Sequence, residues 1–281
     1  MRKKILRKFK TEINKKTMPI QLKKKIIFLH IPKTAGQSIQ GVFNEKIDKS
    51  KISPINVYDQ AESSYENNSK YSYFGGHIDW DEVEDIFQRD EIFIFTVLRD
   101  PRDRLASFYL YLKKEAENFG RDYLEKNNKF GMLHLLDNSI EDYFFPDETK
   151  MRHFIGDMYR DFYIRFFLQK KYRTKIGDFS YISPKEISSA IKNISSLDFI
   201  GFVNDLNPLE QKLESEFKTK FNFSENKINV NKISEKSKWE IFIKSADLER
   251  PELSKDIEKL IENDIIFYEQ VRQLKLADSI T

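Results

Sequence analysis

The chain has 281 residues, of which 40% are hydrophobic and 33% are charged, and it contains 24 phenylalanines. This length and apolar content predict one large folded α/β domain with insertions, or two domains at most, and argue against a disordered chain. The chain has no cysteine, which excludes disulfides, thiolate metal sites and a cysteine nucleophile.

Residues 1–24 are predicted to form a basic N-terminal arm. Through residue 25, eleven Lys or Arg accompany one acidic residue, a net charge of +10, and the rest of the chain carries −7. Such an arm is typical of a solvated tail, and it also suits contact with an anionic polysaccharide or membrane surface, whereas no nucleic-acid partner is expected. No apolar run resembles a signal peptide or approaches the ~20 residues of a membrane span. We therefore expect a soluble cytoplasmic protein, peripheral to a membrane at most.

The first predicted strand leads into a tight cationic turn. Residues 26–29 are consecutive apolar residues, typical of a strand buried on both faces, and apolar residues recur at helical spacing over 39–47. The turn between them combines a lysine, two hydroxyls, two small residues and an amide: Lys33, Thr34, Ala35, Gly36, Gln37 and Ser38. A turn of this composition before a helix N-terminus predicts a phosphate-binding cradle. Lys33 precedes Gly36, which is the wrong order for a Walker A loop.

Two further predicted strands end next to residues whose side chains can take part in binding or catalysis. Residues 71–74 predict a short strand that ends at Gly75-Gly76 and is followed by His77. Residues 92–98 leave almost no polar face and predict a strand in the middle of a parallel sheet. Arg99 follows this strand, and Asp100-Pro101 supplies an N-cap and a first-turn proline for the next helix. Ser107 on that helix faces away from its buried stripe.

The remaining pattern completes an α/β fold. Residues 118–180 predict aromatic-rich helical pieces that interrupt the alternation of strand and helix. A strand is predicted at 198–203, a helix from 207, and an amphipathic C-terminal helix over 253–271. We therefore predict a P-loop-like parallel sheet flanked by helices, with a helical insertion, in a single domain over 25–281. Because ligands of such sheets bind beyond the carboxyl ends of the strands, the turns after residues 30 and 98 are expected to face one ligand.

These motifs resemble those of the carbohydrate sulfotransferases related to the heparan sulfate and uronyl 2-O-sulfotransferases. Residues 30–38 resemble the 5′-phosphosulfate loop, with Gln37 in place of a threonine. Arg99 and Ser107 match the arginine and serine that hold the 3′-phosphate of the donor in that family. The resemblance implies a sulfotransferase fold and the donor 3′-phosphoadenosine 5′-phosphosulfate (PAPS), with no metal. The implied donor-binding residues are Lys33, Thr34, Ala35, Gly36, Gln37, Ser38, Arg99 and Ser107.

The resemblance also implies the reaction, which is in-line transfer of a sulfuryl group to a carbohydrate hydroxyl. Residues 118–180 are then expected to shape the acceptor cleft. Animal members of the resembled family are anchored in the Golgi membrane, so the lack of an apolar span indicates a soluble, bacterial-type member.

Two residues are predicted to be catalytic. Lys33 is the candidate for neutralising charge on the leaving oxygen. His77 is the candidate base, because it follows a Gly-Gly turn and because Gly76-His77 resembles the element that carries the base in the 2-O-sulfotransferases. Those enzymes have a second histidine two residues earlier, where this chain has Gly75. His30 matches the family motif, and we interpret it as a structural residue at the strand end.

Other interpretations remain open at this stage. A nucleotide-dependent kinase would require a Walker-type loop and an acidic metal-binding residue close to it. A non-catalytic protein that binds an anionic polymer through the basic arm would show salt-sensitive binding without donor affinity. For the individual residues, the alternatives are a surface position for Lys33, an ion pair between Arg99 and Asp100 or Asp103, and a packing role for His77.

Overall fold

Four parallel strands form the centre of the protein. The computed structural model describes residues 22–54, 70–172, 181–223 and 237–278, so most of the predicted basic arm lies outside the described residues. The strands pair in the order β2, β1, β3, β4. Their bounds are β1 (Lys25–Leu29), β2 (Tyr73–Gly76), β3 (Ile92–Leu98) and β4 (Phe199–Phe202). This arrangement confirms the predicted parallel sheet flanked by helices.

The described residues also form thirteen α-helices. Their bounds are α1 (Gly36–Lys46), α2 (Trp80–Ile86), α3 (Pro101–Phe119), α4 (Arg121–Lys126), α5 (Phe130–Asp137), α6 (Ile140–Phe144), α7 (Thr149–Met158), α8 (Phe162–Gln169), α9 (Pro184–Ser195), α10 (Asn207–Phe217), α11 (Lys238–Glu249), α12 (Leu253–Glu258) and α13 (Glu262–Asp278). Helices α4 to α8 occupy the region in which the sequence predicts a helical insertion.

The two central strands are buried on both faces, as their almost continuous apolar sequences predict. Alternate residues of β1 point to opposite sides, so Ile26 and Phe28 pack on α1 and α10, whereas Ile27 and Leu29 pack towards α8, α9 and α13. A third apolar cluster joins α3 to α5, α6, α7, α11 and α12 away from the sheet. Helix α3 therefore belongs to the helical layer although it begins directly after β3.

Strand β2 lies two residues later than the sequence predicts. Gly75 and Gly76 pair with Phe28 and Leu29 rather than ending the strand. A Cβ atom on Gly75 would lie 2.2 Å from the Tyr73 hydroxyl oxygen and 2.6 Å from Gln40 Oε1. The glycine is required because the Tyr73 side chain, which donates to Gln40 Oε1 at 3.0 Å, fills that space.

The predicted C-terminal helix is interrupted. Instead of one helix over 253–271, α12 and α13 are separated by a 3₁₀ turn over Lys259–Ile261. The Leu260 carbonyl accepts a hydrogen bond from the Asp161 N–H at 3.0 Å. The periodicity of the sequence does not report this tertiary contact.

Candidate active site

The carboxyl ends of β1, β2 and β3 bring three predicted site segments together. Leu29 of β1 pairs with Gly76 of β2 and with Thr96 of β3, and the N–H of His30 donates to the Gly76 carbonyl at 3.1 Å. The cationic turn that follows β1 and the His77 residue that follows β2 therefore begin side by side. Arg99 follows β3 on the other side of β1.

The cationic turn has an unusual backbone. Lys33 and Ala35 have φ values of 71° and 63°, a left-handed conformation that side chains other than glycine rarely adopt. The Thr34 hydroxyl is buried and donates to the Ile31 carbonyl at 2.8 Å, which holds the turn closed. Strain of this kind, of order 1–3 kcal/mol per residue, is typical of ligand-binding segments.

Helix α1 begins at this turn, and no side chain caps its electropositive N-terminus. Its N-cap is Ala35, which has no side chain to accept from the first N–H groups, and its first turn contains no acidic residue. By contrast, Asp100 caps α3 and Ser183 caps α9 with side-chain hydrogen bonds. A phosphate or sulfate group fits the start of α1 in place of a cap. Gln37 is exposed there and Ser38 is buried.

The Lys33 side chain lies over the next helix rather than in open solvent. Its Nζ is 4.0 Å from the centre of the Tyr111 ring on α3. Burial lowers the pKa of Lys33 to about 8, with repulsion from Arg99 and Lys238 in the same direction and attraction to Glu115 opposing it. The neighbouring cations repel the Lys33 ammonium, and a bound anion would offset this repulsion.

Arg99 and Ser107 lie on the same side of this arrangement. The Arg99 guanidinium is 3.4 Å from Asp103, so the predicted pairing alternative is present, although the arginine side chain remains 20% exposed. Ser107 is one turn after Asp103 and one turn before Tyr111 on α3. Ser107 therefore lies on α3 between Asp103, which contacts Arg99, and Tyr111, which contacts Lys33.

The main chain of Arg99 is held by a tyrosine from the insertion. The Tyr163 hydroxyl donates to the Arg99 carbonyl at 2.7 Å and accepts from the Arg99 N–H at 3.1 Å. Tyr163 is fully buried at the start of α8. Helix α8 thus contacts the residue that follows β3, a connection that no motif in the sequence indicates.

His77 and His30 form a pair at the ends of β2 and β1. Their ring centroids are 4.7 Å apart. Burial lowers the pKa of His77 to about 4, and burial, followed by repulsion from His77 and Lys33, lowers that of His30 to about 3. Both rings are therefore neutral at physiological pH. The Nε2 atom of His77 is enclosed and has no hydrogen-bond partner within the described residues.

Gly36 has a steric role in this pair. A Cβ atom at residue 36 would lie 1.8 Å from His30 Nε2, so only glycine leaves room for the His30 ring. Gly36 is predicted as a donor-binding residue and His30 as a structural residue, and the structure shows that the space beside Gly36 is taken by the His30 ring. The motif spacing contains no signal for the contact between His30 and His77, because they lie on different strands.

The structure therefore places Lys33, Arg99 and Ser107 along the first three turns of α3, and it places His77 next to His30 at the carboxyl ends of β2 and β1. Across the described ranges, no cluster of three or more His, Asp or Glu side chains is arranged to hold a metal ion. No helix in the same ranges has the length and apolar character needed to span a membrane.

Comparison with known proteins identifies the family. The model of the sulfotransferase family matches residues 16–269, which is nearly the whole chain. No curated protein sequence matches the chain significantly.

Proposed function

The chain belongs to the sulfotransferase family, and on that premise we propose that it transfers a sulfuryl group from PAPS to a carbohydrate hydroxyl. The observation that carries the proposal is the meeting, at one edge of the sheet, of an uncapped helix N-terminus, two cationic side chains and a neutral histidine. PAPS carries a phosphate on the 3′ oxygen of its ribose and a phosphosulfate on the 5′ oxygen, and two separate cationic positions in the protein suit these two anionic groups. The carbohydrate acceptor rests on the resemblance of the segment at His77 to the 2-O-sulfotransferases.

The donor would be held at two positions. The start of α1 and Lys33 bind the 5′-phosphosulfate, since backbone N–H groups and an ammonium both stabilise oxyanions. Arg99 and Ser107 bind the 3′-phosphate, to which a guanidinium offers two parallel N–H donors. Asp103 must share Arg99 with this phosphate, and the separation of 3.4 Å between Arg99 and Asp103 indicates a loose pair that a doubly charged ligand can displace.

His77 would remove the proton from the acceptor. As the acceptor oxygen bonds to sulfur, the bond between sulfur and the phosphate oxygen breaks, and the hydroxyl proton passes to a ring nitrogen of His77. Lys33 stabilises the charge that develops on the leaving phosphate oxygen. A histidine that is already neutral is ready to accept this proton without first losing one.

Calorimetric titration with adenosine 3′,5′-bisphosphate, the desulfated donor, tests the donor site, with ATP titrated in parallel. We expect tight binding of the bisphosphate, weak binding of ATP, and loss of bisphosphate binding in Arg99→Ala. Lys114→Ala, which removes an exposed cation from α3, is the matched control and should bind normally. Equal preference for ATP would favour a kinase and overturn the proposal.

The reaction itself is tested by transfer of radiolabelled sulfate from PAPS to a panel of desulfated polysaccharides. We expect label in at least one polysaccharide, and we expect His77→Ala to abolish it while bisphosphate affinity is retained. His153→Ala, at an exposed position on α7, should keep full activity. Retained transfer in His77→Ala would exclude His77 as the base.

A further inference from the structure

The His77 imidazole lies between two rings that come from distant parts of the chain. Its centroid is 4.7 Å from that of His30, with an angle of 34° between the ring planes. On another side it is 4.8 Å from the Tyr172 ring, with an angle of 4°. Aromatic rings at these separations attract one another through dispersion and quadrupole terms. The ring contacts therefore restrict both the position and the plane of the imidazole.

Tyr172 is anchored next to His77 by the main chain. Its N–H donates to the Asp79 carboxylate at 2.5 Å. The Lys170 carbonyl, two residues earlier, accepts from the N–H groups of Trp80 and Asp81 at 2.7 and 3.1 Å. The end of α8 is thereby fastened to the start of α2, only a few residues after His77. This connection fixes the Tyr172 ring over the imidazole.

His30 is anchored from the opposite direction. Its N–H donates to Gly76, and its ring stacks on Phe28 at 5.3 Å with an angle of 25°. Gly36 leaves the space that the ring occupies. A rigid sheet edge and the first residue of α1 therefore determine the position of His30, and His30 in turn limits the position of His77.

Both flanking rings also cover part of the imidazole, which is partly buried. The titratable groups whose rings contact it are His30 after β1 and Tyr172 after α8. The nearby Asp79 carboxylate accepts from the Tyr172 N–H. Burial is the cause of the low pKa of His77, about 4. The orientation of a catalytic histidine is often set by a hydrogen-bonded carboxylate, which also favours its protonation. Ring contacts can restrict its orientation without that second effect.

We propose that His30 and Tyr172 are positioning residues that hold the His77 imidazole in place for proton transfer. This proposal rests on the proposed function, in which His77 is the base. The residue two positions before His77 on its own strand, Gly75, has no side chain, and the Tyr73 hydroxyl fills the space beside it. The supporting rings therefore come from other segments, from His30 after β1 and from Tyr172 after α8.

Titration of the histidine Cε1–H signals by NMR tests the contacts without an acceptor. In the wild type we expect the His77 signal to be shifted by the flanking rings and to titrate near the value of about 4. His30→Ala and Tyr172→Ala should each remove part of the ring shift, admit water and move the midpoint towards about 6.5. Tyr172→Phe and His30→Phe retain a ring and should restore both properties, and His153→Ala should change neither. An unchanged His77 signal in both alanine variants would overturn the proposal.

The same variants are then compared in the sulfate-transfer assay on the polysaccharide that becomes labelled. We expect the alanine variants to lower kcat by about tenfold to a hundredfold, because small misplacements of a catalytic group have effects of this size, and to leave bisphosphate affinity unchanged. The phenylalanine variants should recover kcat. Full kcat in the alanine variants would overturn the positioning role. Failure of the wild type to bind bisphosphate would instead overturn the proposed function, and the NMR result would still report on the ring contacts.

Discussion

Lys33 combines a strained backbone with a depressed pKa. Its φ is 71° and its side chain lies over the Tyr111 ring, and burial with neighbouring cations lowers its pKa to about 8. Burial and the neighbouring cations destabilise the protonated form of Lys33, and a bound anion would stabilise it. The charge on Lys33 therefore depends on pH over a range in which most lysines are fully protonated.

This dependence predicts that bisphosphate affinity falls as the pH rises through 8. Lys33 is charged below its pKa and neutral above it, so binding above pH 8 must take up a proton. Between pH 7.5 and 9.5 we expect the affinity of the wild type to fall by about tenfold. Lys33→Arg keeps its charge across this range and should show a flat profile in calorimetry. Parallel profiles for the two proteins would contradict the role of Lys33 in binding the donor.

Tyr163 offers a second test at the residue scale. Its hydroxyl makes two hydrogen bonds to the main chain of Arg99, and each such bond contributes about 0.5–1.5 kcal/mol. Tyr163→Phe should therefore weaken bisphosphate binding by about three- to tenfold through the displacement of Arg99. Tyr159→Phe is a matched control, because it removes a buried hydroxyl that contacts Tyr143 instead. Equal bisphosphate affinities in the two variants would disprove the positioning of Arg99 by Tyr163.

At the scale of elements, α8 and α13 cap each other. The Asp264 carboxylate of α13 accepts from the N–H groups of Tyr163 and Ile164, both at 3.0 Å. Asp161, the N-cap of α8, accepts from the Asp264 N–H at 3.2 Å. The two carboxylates satisfy backbone donors that would otherwise be buried without partners. Because α8 also carries Tyr163, this exchange of caps supports the donor side of the site.

The buried cap predicts a pH-dependent stability. Burial, together with repulsion from Asp161, raises the pKa of Asp264 to about 7, above the value of about 3.9 in an unfolded chain. Between these values the folded protein binds the extra proton, so the contribution of Asp264 to stability decreases as the pH rises from about 4 to about 7. Asp264→Asn cannot ionise and should lack this decrease.

Urea denaturation of the wild type and of Asp264→Asn from pH 4 to 8 measures how their free energies of unfolding differ. The free energy of unfolding of Asp264→Asn relative to the wild type should increase up to about pH 7 and then remain level. A constant difference between Asp264→Asn and the wild type would show that Asp264 does not titrate in this range.

At the scale of the whole molecule, charge is divided between the N-terminal arm and the rest of the chain. The family match begins at residue 16, and residues 1–15 carry a net charge of +6. The part of the arm that precedes the match, residues 1–15, can add affinity for an anionic polymer without belonging to the donor site. Its attraction would be long in range and weakened by salt.

Deletion of residues 1–15 separates binding of an anionic polymer from binding of the donor. We expect the truncated protein to leave a heparin column at lower salt than the full chain and to bind adenosine 3′,5′-bisphosphate with unchanged affinity. Polymer binding that disappears with the arm, in a full-length protein that has no bisphosphate affinity, would favour the non-catalytic alternative. Loss of bisphosphate affinity upon deletion would show that the arm contributes to the donor site.

Local features of the chain could be predicted because the causes lie within a few residues. The apolar runs of β1 and β3, the cap formed by Asp100 before Pro101, and the cationic turn at Lys33 are all encoded by neighbouring residues. The family likewise follows from short motifs, and the family match confirms it. The predicted bounds of β2 and the predicted single helix over 253–271 were wrong. The pairing of Gly75 and Gly76 with β1 and the contact between Asp161 and Leu260 are tertiary contacts that a local pattern does not report.

The sequence by itself therefore determined the family and the parallel sheet except for the bounds of β2, and it named the candidate donor-binding residues. Only the tertiary structure decided which side chains support them: His30 and Tyr172 on His77, Tyr111 on Lys33, and Tyr163 on Arg99. Each of these contacts joins residues that are far apart in the chain. Periodicity and motif spacing report only local relations, whereas the sheet register and the packing of helices determine which distant residues meet.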